Sequence, residues 1–129
     1  MKIFFSRSEQ TIYFVGPDGT KAWDCHSDFF PGFNEEGQPR ESLPLGSYIV
    51  SAEDPPAENS AAYGTFYITT GDARGRDIHG GGSDLPDPFA PRQGWEATLG
   101  CLRCQNEDGE ELSRLIIAAG NAVPMEVVA

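Results

Sequence analysis

One His and one Cys, each set among glycines, stand near the two ends of the stretch from Asp77 to Asn106. His79 is followed by Gly80, Gly81 and Gly82, whereas Cys101 follows Thr98-Leu99-Gly100 and precedes Leu102-Arg103. A free thiol has a pKa near ~8.5 and is mostly protonated at neutral pH, so a nucleophilic Cys needs a base within hydrogen-bond reach. His79 is the candidate base. The loop between the two is long enough to fold back on itself, and Pro86, Pro88 and Pro91 restrict its conformations. Glycines beside the pair remove side-chain bulk, so backbone N–H groups can approach a substrate oxygen. A base-activated Cys101 is expected to alkylate rapidly well below about pH 8.5. His79, at a glycine-rich loop mouth, is expected to lie outside the core, so that replacing it changes stability by no more than about 0.5 kcal/mol.

The pattern Ile78-His79-Gly80, a variable loop, then Thr98-x-Gly100-Cys101-Leu102-Arg103-x-x-Asn106 ahead of a helix resembles the catalytic domain of the L,D-transpeptidases, the YkuD-type peptidoglycan enzymes. Leu43-Pro44-Leu45-Gly46-Ser47-Tyr48 is similar to that family's Pro-x-Gly-x-Tyr segment. The resemblance implies that Cys101 is the nucleophile, that His79 is its base, and that Gly80 orients the imidazole through its carbonyl oxygen. It also implies the substrate, a peptidoglycan stem tetrapeptide that loses its terminal D-amino acid as a thioester forms. The acyl group then passes to an amine, to water or to a free D-amino acid, which separates transpeptidase from L,D-carboxypeptidase and exchange activity. Arg103, Gly100, Thr98 and Trp95 are the expected substrate contacts. Arg103 would hold a carboxylate or pair with Asp77, and Trp95 would wall the groove or pack in the core. The N–H of Cys101 is the natural first oxyanion donor. Leu99 stands where the family usually has a second His, which bears on substrate contacts and rate more than on the nucleophile. No cofactor and no metal are implied.

Other chemistries fit parts of the pattern. Cys101-Leu102-Arg103-Cys104 is a Cys-x-x-Cys, which at a helix N-terminus would be a redox pair. Cys101 and Cys104 with His79, Cys25 or His26 would supply a zinc ligand set. A wall-binding module with lost activity is a third possibility, marked by Leu99. Cys25-His26 reads as a half-buried thiol beside a surface His.

At 129 residues and 39% hydrophobic content, the chain suits one core, and residues 1–129 are read as a single catalytic domain. A net charge of −11 with only nine Lys and Arg argues against binding nucleic acid or anionic membranes. No secretory signal and no membrane span is visible, so a protein acting in the periplasm or cell wall would be exported by another route or have lost its first residues. Signal-less proteins resembling this family include type VI secretion effectors that attack a rival's wall, whose partner would be an immunity protein.

The elements that must position the pair are mostly strands. Fifteen Gly and ten Pro with few helix-forming runs indicate short strands and turns. Strands are expected at 2–5, 10–15 and 20–24 as a meander, then at 47–52, 64–70 and 76–79, the last delivering His79. Residues 26–45 form a long loop in which Phe29, Phe30 and Phe33 line a groove or plug the core. Asp54 to Ser60 is a further loop. One helix follows the Cys, with Asp108 and Glu111 as a capping-box variant, an apolar face at Leu112, Leu115, Ile116 and Ala119, and a stop at Gly120. Residues 121–128 read as a final strand, placed at an edge because Pro124 cannot donate to a ladder. The resulting fold is mainly β with one significant C-terminal helix, and the resemblance implies a β-sandwich of mixed sheets.

Overall fold

The computed structural model describes residues 1–56 and 60–129, so the centre of the expected 54–60 loop lies outside the described residues. Eight strands run β1 (Lys2–Ser6), β2 (Thr11–Gly16), β3 (Gly19–His26), β4 (Gly46–Ala52), β5 (Tyr67–Thr69), β6 (Ile78–His79), β7 (Leu102–Cys104) and β8 (Val123–Val128), with helix α1 (Asn106–Ala118) between β7 and β8. They are mainly antiparallel and close into a barrel in the order β1-β2-β3-β7-β6-β5-β4-β8. The parallel pairs are β1 with β8 and β6 with β7. The mixed-sheet sandwich expected from the resemblance is thus present in a form whose sheets join edge to edge.

Period-two alternation explains the larger strands. In β1 and β2 the side chains of Ile3, Phe5, Ile12 and Phe14 turn inward, and in β8 those of Val123, Met125 and Val127 do so, with less buried residues between them. Leu112 and Ile116 complete the core from α1, which packs on β4 and β5. Gly109 allows the close approach, because a Cβ there would overlap the ring of Phe66.

Three sequence expectations change. Strand β8 is interior, between β4 and β1, and not an edge. Pro124 is tolerated because it sits at the strand start, before the ladder with β1 begins at Met125. The helix starts at Asn106 and not at an Asp108 cap. Its N-terminus is satisfied from the preceding loop: Gln93 Oε1 accepts from the N–H of Asn106 at 2.9 Å, and the Pro91 carbonyl accepts from that of Glu107 at 3.0 Å. Asp108 instead receives Arg92 Nη1 at 2.9 Å. Phe29, Phe30 and Phe33 are 38%, 42% and 66% exposed, so these rings do not plug the core, and it is Leu43 that the 26–45 loop buries there. Among the described residues no helix is long and apolar enough to cross a membrane.

Candidate active site

The three-residue strand β7 organises the site. Its parallel register with β6 sets Ile78 against Leu102 and His79 against Arg103. Ile78 and Leu102 are fully buried on the core face, so Cys101, His79 and Arg103 share the opposite face. The register continues outward on both sides, pairing Tyr67 of β5 with His79 and His26 of β3 with Arg103. Tyr67, His79, Arg103 and His26 therefore form one row across four strands. Cys101 stands at the end of β7, one step diagonal to His79.

A cavity of about 340 Å³ covers this row as far as Arg103, leaving out His26, and Cys101, His79, Tyr63, Tyr67, Arg103 and Leu99 are among its walls. A larger cavity of about 560 Å³ lies among Arg7, Asp28, Phe29 and Glu41 but contains neither Cys101 nor His79. The smaller one is the candidate site, because among the described residues it brings Cys101 and His79 together.

His79 is 3% exposed, which corrects the expectation that it lies outside the core. Its ring stacks parallel to Tyr67 at 6.1 Å and meets the edge of Tyr63 at 4.9 Å. Nδ1 lies 2.9 Å from the Gly80 carbonyl oxygen. A carbonyl can only accept, so Nδ1 carries the proton and Nε2 keeps a lone pair. Burial lowers the imidazole from its ordinary 6.5 to about 4, against the opposing pull of the Gly80 carbonyl and with a further push from the Arg103 charge. The ring is neutral at physiological pH, the state a general base requires.

Cys101 is partly exposed to the cavity, and its Sγ accepts from the Asp77 N–H at 3.3 Å. Burial pushes the thiol above its ordinary value, and the Asp77 amide only partly offsets this. That overturns the expected alkylation well below pH 8.5, because the resting sulfur is a thiol and not a preformed thiolate. No hydrogen bond joins Sγ to the imidazole among the described residues. The arrangement is a neutral thiol and a neutral imidazole on one face, so a transfer of the thiol proton to His79 would have to accompany attack by Sγ rather than precede it.

Gly80 has no room for a side chain, since a Cβ would overlap Asn106 Oδ1. Asn106 is fully buried and ties three segments together, donating from Nδ2 to the carbonyls of Pro88 and Ala90, both at 2.8 Å, and accepting from the Thr65 N–H at 3.3 Å. Thr65 and the Pro88–Ala90 segment are thereby clamped to the helix start, with Gly80 packed against the same amide.

Arg103 is 4% exposed and donates to the carbonyls of Gly80, Glu96, Ala97 and Ala62. Pairing with Asp77 does not occur. Asp77 accepts instead from Tyr67 Oη at 2.7 Å and from the Thr70 N–H at 2.9 Å. The guanidinium is occupied in joining loops and reaches the cavity as a buried charge. Thr98 Oγ1 donates to the Cys101 carbonyl at 2.7 Å and accepts from the Gly100 N–H at 3.0 Å, and Gly100 adopts φ +133°. Thr98 lines the cavity, whereas Gly100 shapes the turn behind it. The N–H of Cys101 makes no hydrogen bond among the described residues and is free to meet an oxyanion. Trp95 stacks on His26 at 3.5 Å and is 37% exposed, so it is neither a core residue nor a wall of this cavity.

The competing cysteine chemistries are separated by the same strand. Cys104 faces the core opposite Cys25, which is fully buried and not half-buried beside a surface His. Cys101 and Cys104 are three extended residues apart, roughly 10 Å, beyond the ~7 Å Cα limit for a disulfide. Only Cys104 adjoins the start of α1, whereas Cys101 lies ahead of β7, so the redox motif, which needs its first Cys at the helix N-terminus, is not assembled. The proposed zinc set is split between the cavity and the core. Tyr63, Tyr67 and the Asp72–Arg76 ion pair at 2.8 Å were not singled out from sequence; Tyr67 sits two residues before the strand end, and only the β5–β6 register reveals its place.

No protein-family model matches the sequence, and no curated protein matches it. Solved structures do. The chain is similar to the crystal structure of Mycobacterium tuberculosis L,D-transpeptidase 1, with a TM-score of 0.54 and 13% identity over 99% of this chain and 60% of that one. It is similar as well to an L,D-transpeptidase from Xylanimonas cellulosilytica, with a TM-score of 0.58 and 15% identity over 98% of this chain and 59% of that one. The fold is that of the L,D-transpeptidase structures. The chain spans about 60% of the length of the first of these.

Proposed function

We propose that this chain is a cysteine-dependent acyltransferase or hydrolase of the L,D-transpeptidase kind, acting on peptidoglycan stem peptides. The observation that supports it best is the neutral Cys101–His79 pair on one face of β6 and β7, with Nδ1 tied to Gly80, inside a fold shared with L,D-transpeptidases. In this reading His79 Nε2 takes the thiol proton as Sγ attacks the carbonyl at the stem peptide's L-centre. The N–H of Cys101 receives the developing oxyanion. The tetrahedral intermediate expels the terminal D-amino acid, whose amine takes the proton back from His79, and a Cys101 thioester remains. An incoming amine or water then gives its proton to His79, attacks the thioester and releases Sγ, which recovers that proton.

Leu99 is 66% exposed at the cavity rim, in the position where the resembling family carries a His. It supplies an apolar wall without a second titrating group, so both proton transfers fall to His79. Incubation with purified disaccharide tetrapeptide, followed by mass spectrometry of the products, tests the proposal. Release of the terminal D-amino acid, with formation of tripeptide, cross-linked dimer or exchanged tetrapeptide, is the expected result. Unchanged substrate under conditions where the protein is folded would overturn it.

A further inference from the structure

The cavity over Cys101 continues past Leu99 into a second one of about 300 Å³, with Arg74, Arg76 and Leu99 forming walls of both. Glu35, Glu36 and Arg40 of the 26–45 loop close the far side. The charges here are distributed unusually. Arg76 is neutralised by Asp72, which it meets through Nε at 2.8 Å and Nη2 at 3.1 Å. Among the described residues, Arg74 and Arg40 have no carboxylate within ion-pair distance, and Glu35 and Glu36 have no Lys, Arg or His within it. Four unpaired charges, two of each sign, thus line one cavity of a chain whose net charge is −11.

The two arginines are held in place without being consumed. Arg74 Nη2 donates to the Pro39 carbonyl at 2.9 Å, and Arg40 Nη1 to that of Pro31 at 3.2 Å. These anchors leave the remaining N–H groups of both guanidiniums available. The two glutamates ride on a turn fastened by Asn34 Oδ1, which accepts from the N–H groups of Glu36 at 3.1 Å and Gln38 at 2.8 Å.

We propose that this second cavity binds the zwitterionic head of an α-amino acid, with Arg74 and Arg40 taking the carboxylate and Glu35 and Glu36 the ammonium. A simple anion would be repelled by the glutamates and a simple cation by the arginines, whereas a group bearing both charges on one carbon satisfies the two sets together. Exposed Leu99 between the cavities offers an apolar step for the methylenes linking such a head to a reacting centre. The assignment of the ligand to a substrate rests on the thioester reading, under which the head is one that does not itself react: that of the amino acid after it has left, or the side-chain end of a diamino-dicarboxylic acid residue.

The test uses the full chain carrying Cys101→Ala and follows the arginine Nε–H resonances by NMR during titration with D-alanine, N-acetyl-D-alanine and D-alaninamide. D-alanine is expected to shift the Arg74 signal, and the two blocked compounds, each lacking one charge, should bind at least about tenfold more weakly, the scale of one charge-assisted hydrogen bond. Arg74→Gln should weaken D-alanine binding about tenfold, with Arg74→Lys recovering part of it because charge returns without the fork. Equal binding of all three compounds, no binding of D-alanine, or an Arg74→Gln variant that binds like its parent would overturn the proposal. Formation of a thioester by the wild-type protein, measured separately, tells the two failures apart. A thioester without amino acid binding removes the subsite and leaves the acyltransfer reading, and binding without a thioester does the reverse.

Discussion

Replacing His79 with Gln should remove much of the protein's sensitivity to mild acid as well as its activity. The imidazole's value falls from 6.5 to about 4 on folding, so between those pH values the unfolded chain holds a proton that the native state does not. Stability from this group is complete above about pH 6.5 and is lost as pH falls toward 4. The gap of roughly 2.5 between the two values, at about 1.36 kcal/mol each, amounts to ~3 kcal/mol. Gln has no titrating group, so the stability difference between wild type and variant should shrink, or reverse in favour of the variant, by about that amount over this range. The assay is urea unfolding of both proteins at a series of pH values, which cancels the contributions of carboxylates common to both. In parallel, the acylation rate near neutral pH should fall about 10²–10⁴-fold, the scale of general acid–base catalysis. A pH-independent difference between the two unfolding curves would refute the buried, neutral imidazole, and with it the tautomer assigned from the Gly80 contact.

Four further outcomes follow from the site. Cys101→Ser should abolish turnover, whereas Cys104→Ala should retain it and cost about 1–3 kcal/mol of stability as a core vacancy beside Cys25, read by activity and thermal unfolding. Gly80→Ala forces a Cβ onto Asn106 and should destabilise by more than about 2 kcal/mol, with loss of activity exceeding that explained by the unfolded fraction. Arg103→Lys should behave nearly as badly as Arg103→Met in urea unfolding, because a point charge cannot serve carbonyls from Ala62 to Ala97 at once. Iodoacetamide labelling of Cys101 in the free protein should rise only above about pH 8.5, since burial raises the thiol; rapid labelling at neutral pH would mean a preformed thiolate.

How far the sequence disclosed this arrangement depends on how local each cause is. Strands β1, β2, β4 and β8 carry alternation or β-branched runs within themselves, and the helix face at Leu112, Leu115 and Ile116 needs only the 3.6 period, so both kinds were legible. Strand β7 was not, because Leu102-Arg103-Cys104 is too short to show a period and all three side chains are buried, two in the core and one beneath the cavity. The true helix start was hidden for a different reason: the N-cap Gln105 makes no side-chain cap bond, and the first helical N–H is met by Gln93, brought there by the loop. The Cys and His were conspicuous through residue type and glycine context. The burial of His79 was not, since it comes from Tyr63 in the turn before β5 and from Tyr67 on β5. Arg103 likewise drew attention as a cation, yet its role in joining four carbonyls depends on loops that only the closed barrel brings together.

The most direct test of the account is rapid acid quenching of the wild-type protein with disaccharide tetrapeptide, followed by intact-mass measurement and peptide mapping. The account predicts a transient adduct equal to the substrate less its terminal D-amino acid, located on Cys101, and no such adduct in His79→Gln on the same timescale. An adduct on any other residue, or turnover of substrate by Cys101→Ser, would contradict it.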